Sequence, residues 1–90
     1  MTNIALTTTP TKILNASPDL DRAYVIYADA KIYLCVDGDQ NTVLTSSNGI
    51  PVAANTSFSS LAAGLDARMV RQAVYAMADS GTVNVRVQAR

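Results

Sequence analysis

Apolar and polar positions alternate without a break along "TVNVRVQ" (Thr82–Gln88). Val83, Val85 and Val87 fall on one side, and Thr82, Asn84, Arg86 and Gln88 on the other. Successive side chains of an extended chain point to opposite faces. This run therefore predicts a strand with one buried face and one solvated or contact face. Shorter runs repeat the signal. "IALTTT" (Ile4–Thr9) ends at Pro10, and "TKIL" (Thr11–Leu14) follows it. "RAYVIYA" (Arg22–Ala28) is aromatic and β-branched, and "KIYLCV" (Lys31–Val36) sets Ile32, Leu34 and Val36 on one face. "TVLT" (Thr42–Thr45), "IPV" (Ile50–Val52), "TSFSSL" (Thr56–Leu61) and "AVYAM" (Ala73–Met77) complete the set.

Turn residues punctuate these runs: "NASPDLD" (Asn15–Asp21), Asp37-Gly38, "SSNG" (Ser46–Gly49) and "ADSG" (Ala78–Gly81). Asp-Gly and Asn-Gly between extended runs are hairpin signals, because these residues accept positive φ. The interruption after Ala28 is so short that the flanking runs are predicted to pair as an antiparallel hairpin. Pro51 cannot donate to a ladder, which predicts an edge strand there. One stretch leaves the β rhythm. Leu61, Leu65 and Met69 are spaced i, i+4, i+8 among good helix formers, predicting a short helical segment near residues 62–72, weakened by Gly64. The sum is a single, mainly β domain over residues 1–90. "MTNIALTTT" carries no turn signal and reads as an extended N-terminal arm over residues 1–9, suited to adding to a neighbour's sheet edge.

Composition narrows the function. Ninety residues suit one domain, and 49% apolar with 16% charged residues excludes intrinsic disorder. A chain this short buries roughly 60–65% of the surface its unfolded form exposes, so partner subunits would add stability. Seven basic residues cancel seven acids, all of them Asp. A neutral chain exerts no pull on nucleic acid or an anionic membrane. The chain has no His, the usual general base near neutral pH. Cys35 is the single cysteine, so no disulfide forms within the chain; it reads as a small buried or half-buried residue rather than a reactive thiol. "MTNIALTTTP" has neither a cationic start nor a long apolar run. The expectation is a soluble protein made in the cytoplasm, with no secretory signal and no membrane partner.

The candidate chemistry is thin. Asp37, Asp39 and Asn41 space oxygen donors like the opening of a calcium loop. Such a loop needs Gly at its sixth place and Glu at its twelfth, where Thr42 and Asn48 stand. The stretch reads as a turn, with a weak cation site shared between subunits as the open alternative. No metal, cofactor or catalytic residue is assigned. Ser57, Ser59 and Ser60 have no His to activate them. Tyr24, Tyr27, Tyr33 and Tyr75 are the residue type that stacks single-stranded bases, but the accompanying basic groove is not expected of a neutral chain. Arg68 and Arg71 read as a solvated face, with a specific subunit contact as the alternative.

The order of features is more informative than any one motif. A Thr-rich start leads to "TKILNASPDLDRAYVIY", then "KIYLCVDGD", "VLTSSNGIPVAANTSF" and "AVYAMADSGTVNVRVQ". This order resembles a type of small tailed-bacteriophage structural protein, a head decoration or cement-like β-domain. The matching positions are Thr11–Asn15, Arg22, Ile32–Leu34, Thr45, Asn48–Val52, Val74–Met77 and Ser80–Val87. "AANTSF" stands where that type has a Pro-Gly turn, and Ala62–Gln72 looks like an insertion. The resemblance implies a small antiparallel β-sandwich or barrel without enzyme activity. It further implies a homo-oligomeric capsid decoration protein bound to the major capsid protein or other virion proteins, made in the host cytoplasm and located in the virion. A neck, collar or tail component is the alternative, and a small nucleic-acid-binding β-barrel the second alternative. Candidate contact residues are Ile4, Leu6, Arg68, Arg71, Asn84 and Arg86.

Overall fold

The valines of the closing run occupy the interior as their alternation requires. Val83, Val85 and Val87 are 4%, 0% and 3% exposed, while Asn84, Arg86 and Gln88 face solvent. They belong to the last of eight strands in a computed structural model that describes residues 2–15, 23–36, 44–45, 47–60, 64 and 72–89. The strands are β1 (Thr2–Leu6), β2 (Thr11–Leu14), β3 (Tyr24–Ala28), β4 (Ile32–Cys35), β5 (Ile50–Val52), β6 (Thr56–Ser59), β7 (Val74–Ala78) and β8 (Val83–Ala89). They form two four-stranded antiparallel sheets. The first has the order β1-β8-β3-β6 and the second β2-β7-β4-β5. Leu6, Ile26 and Val85 of the first sheet share one core with Leu34, Val74 and Ala76 of the second. The fold is an antiparallel β-sandwich.

The alternation in β8 makes a two-sided demand on stability. Val85→Ala removes two methyl groups from a sealed site and should cost about 1–3 kcal/mol. Asn84→Ala, one residue away on the open side, should cost less than about 0.5 kcal/mol. Urea denaturation of both variants checks this. Equal losses would mean that β8 is packed on both faces.

The expected hairpin between Arg22–Ala28 and Lys31–Val36 is not formed. β3 lies in the first sheet and β4 in the second. Asp29, Ala30 and Lys31 carry the chain from one layer to the other. Three extended residues reach about 10 Å, which matches the spacing of packed sheets. The link is held at both ends: Asp29 N–H donates to the Asn84 carbonyl at 3.3 Å, and Asp79 N–H donates to the Lys31 carbonyl at 3.1 Å. Of the connections between successive strands of the described residues, only β4 to β5 stays within a sheet.

The expected arm is, over residues 2–6, an edge strand of its own sheet. β1 runs along β8 in register from Thr2 opposite Val87 to Leu6 opposite Val83. Leu6 is fully buried, and the Ala78 N–H donates to the Thr7 carbonyl at 2.8 Å, fastening the end of β1 to the second sheet. Pro51 sits in edge strand β5, as expected. The Asn-Gly turn also forms. Gly49 N–H donates to the Thr45 carbonyl at 3.0 Å, and the Asn48 Oδ1 accepts from Thr45 N–H at 2.8 Å. The expected strand Thr42–Thr45 is not seen at its two described residues: Leu44 and Thr45 lie outside any strand. In "AANTSF" the chain turns on Asn55, at φ 59°, without glycine. Asn is among the few residues that tolerate this region, and Thr56 Oγ1 closes the turn on the Ala53 carbonyl at 2.6 Å. No helix occurs among the described residues; the expected helical segment falls outside them except for Gly64 and Gln72, neither of which is helical.

Candidate interaction face

The two outer faces of the sandwich differ. On the second sheet, Tyr33 points away from the core, since its neighbours Ile32 and Leu34 point in, yet it is only 7% exposed. The segment around Leu44 and Gly49 covers it. Leu44 is buried outside the main core, and a Cβ added at Gly49 would lie 2.7 Å from Tyr33 Cβ. The Tyr33 hydroxyl donates to Asp79 Oδ1 at 2.8 Å, and Lys31 Nζ stands 5.3 Å from the ring centroid. Tyr75, Met77 and Cys35, on the same outer side, are half-buried.

The first sheet is open. Cross-strand register lines up Asn3, Arg86, Tyr27 and Ser57 in one outward row, and Gln88, Val25 and Ser59 in the next. Val25, Tyr27, Arg86 and Gln88 line a shallow depression of about 220 Å³. Val25 is 41% exposed, high for a β-branched apolar residue in a central strand. The Arg86 guanidinium lies over the Tyr27 ring, 5.2 Å from its centroid, a cation–π arrangement. The Tyr27 hydroxyl lies 3.5 Å from Asn55 Oδ1 at the rim. Arg86 is the single charged residue in these rows.

Of the expected contact residues, Asn84 and Arg86 lie on this open face. Ile4 is half-buried against the core, and Leu6 is inside it and offers a partner no surface. Arg68 and Arg71 lie outside the described residues, as do Asp37, Asp39 and Asn41. Val25 is not singled out from the sequence, Tyr27 enters there only as a base-stacking residue type, and Gln88 only as an outward position of the closing strand. The signal was present, because their parity is opposite to that of Tyr24, Ile26 and Val87. What the sequence does not give is the register that brings β3 and β8 side by side.

The tyrosines do not form a shared platform. Tyr24 is buried beside Phe58 with ring centroids 6.4 Å apart, Tyr33 is covered, Tyr75 is on the other sheet, and Tyr27 alone lies on the open face. Ser60 is a clasp: its Oγ accepts from Tyr24 N–H at 3.0 Å, and its N–H donates to the Tyr24 carbonyl at 3.0 Å. Among the described residues no three His, Cys, Asp or Glu side chains converge as metal ligands. The face can do what a flat, weakly charged surface with an aromatic–arginine centre does, which is to receive another surface. The chain matches no protein-family model, no curated protein and no solved structure.

Proposed function

We propose that the protein is a non-enzymatic structural component of a tailed-phage virion, a capsid decoration protein that lies on the major capsid protein through the open face of the first sheet. The observation that carries the choice of face is an asymmetry of the sandwich: on the second sheet Leu44 and Gly49 pack around Tyr33, which is 7% exposed, whereas on the first Val25 is 41% exposed and borders a depression with Tyr27 and Arg86. Protein interfaces are enriched in Tyr and Arg and depleted of other charges at their centres, as this face is. The order of sequence motifs supplies the virion reading, and a β-sandwich suits it. On a shell, a modest contact energy per copy is multiplied by repetition.

The test is the copy number in particles purified from the phage that encodes the chain. Decoration gives many copies spread over every shell facet. A single ring at one vertex would assign the protein to the neck, collar or tail instead, and absence from particles would end the virion reading. Arg86→Glu should strip decorated shells of the protein while changing its stability by less than about 1 kcal/mol. Tight, salt-dependent binding to single-stranded oligonucleotides would favour the small nucleic-acid-binding barrel.

A further inference from the structure

Exposed sheet edges invite pairing, and proteins blunt them with proline, charge, bulges or short length. Among the described residues the sandwich has four edge strands, β1 and β6 in the first sheet and β2 and β5 in the second. The second sheet is blunted at both ends. β5 is three residues long with Pro51 at its centre, and β2 carries Lys12 and a register shift between Lys12 and Leu14. The first sheet has neither device: β1 (TNIAL) and β6 (TSFS) contain no charge, no proline and no shift.

Strand length decides between β1 and β6. A two-fold axis normal to a sheet pairs residue i with residue j at constant i + j. Outward residues stay opposite outward ones only if that sum is even. The five residues of β1 meet this condition over their whole length with the axis at Ile4. Ile4 then faces Ile4, Asn3 faces Ala5, and Thr2 faces Leu6. The four residues of β6 cannot pair fully without turning Phe58 outward, so they must slip. Head-to-tail pairing of β1 with β6 would not close and would grow as a filament.

We infer that the protein dimerises by antiparallel β1–β1 pairing with a second copy, joining two first sheets into one eight-stranded sheet whose open faces are flush. The outward pairs across the seam are Asn3 with Ala5 of the other copy, twice. None of the pairs places like charges together, which a two-fold axis does to any charged residue at its centre. The inference stands whether or not the protein is a virion component.

Analytical ultracentrifugation of the full chain across roughly micromolar to millimolar concentrations tests it. The native protein should sediment as a dimer that dissociates on dilution. The double variant Asn3→Lys/Ala5→Lys sets lysine against lysine in both outward pairs and should weaken dimerisation about tenfold. Asn3→Lys/Ala5→Asp sets opposite charges in the same places and should restore it. If the double-lysine variant fails to fold, concentration-dependent protection of the native β1 amides from hydrogen exchange reads the same seam. A monomer at every concentration, equal dimerisation of both variants, or open-ended filaments would overturn the inference.

Discussion

Leu6→Ala is expected to destabilise the isolated protein by about 2–5 kcal/mol. Leu6 ends an edge strand, where truncation is ordinarily mild, but it is fully buried between the sheets and belongs to the shared core. Replacing it leaves a void that the pairing of β1 with β8 hinders from closing. A domain of this size has a total stability of roughly 5–13 kcal/mol, and each kcal/mol lost lowers its melting point by about 4–8 °C, so the variant should melt on the order of 10–40 °C lower. Ala5→Ser, at the exposed position before it, should stay within about 0.5 kcal/mol. Thermal and urea denaturation of the two variants give the comparison. A Leu6→Ala protein as stable as the native one would return Leu6 to the partner-facing role that the sequence suggests.

Gly49→Ala is expected to cost about 1–3 kcal/mol, against the usual direction of a glycine-to-alanine change. Such a change at a compatible site stabilises by about 0.4–1 kcal/mol by restricting the unfolded chain. At Gly49 the new methyl group would stand 2.7 Å from Tyr33 Cβ, 2.8 Å from Leu44 Cδ1 and 3.1 Å from the Thr45 carbonyl oxygen. The leucine tip can yield, whereas Tyr33 Cβ is fixed by its strand between β7 and β5. The loss should appear in urea denaturation together with a changed near-ultraviolet tyrosine signal. A gain in stability would show that the Leu44–Gly49 segment does not seat on the second sheet.

Local chemistry made part of this fold readable. Alternation through Val83, Val85 and Val87 identifies β8 and its inward face, and the missing amide of Pro51 identifies an edge. Asn48-Gly49 marks a turn because its residues adopt turn conformations wherever they stand. The β3–β4 link was misread for an equally physical reason. Period-two alternation says which face is buried and nothing about which strand lies alongside, so a three-residue link between layers looks like a hairpin loop. Leu6 was misplaced because "TNIAL" carries strand propensity without any mark of whose sheet it joins. On the open face, Arg86 and Asn84 could be read from β8 alone. The depression with Val25, Tyr27 and Gln88 depends on the register between β3 and β8, which residues some sixty positions apart establish only on folding.

The pairing of β1 with β8 also governs the order in which the molecule can come into being. The first strand takes its ladder from the last, and β8 is also the neighbour of β3, so the first sheet has no spine until Val83–Ala89 is available. Among the described strands a single connection, from β4 to β5, stays within one sheet, so their pairing rests mostly on distant segments meeting. On the ribosome, Ile4 and Leu6 therefore stay unsheltered by this sheet until residues 83–89 have emerged to pair with them.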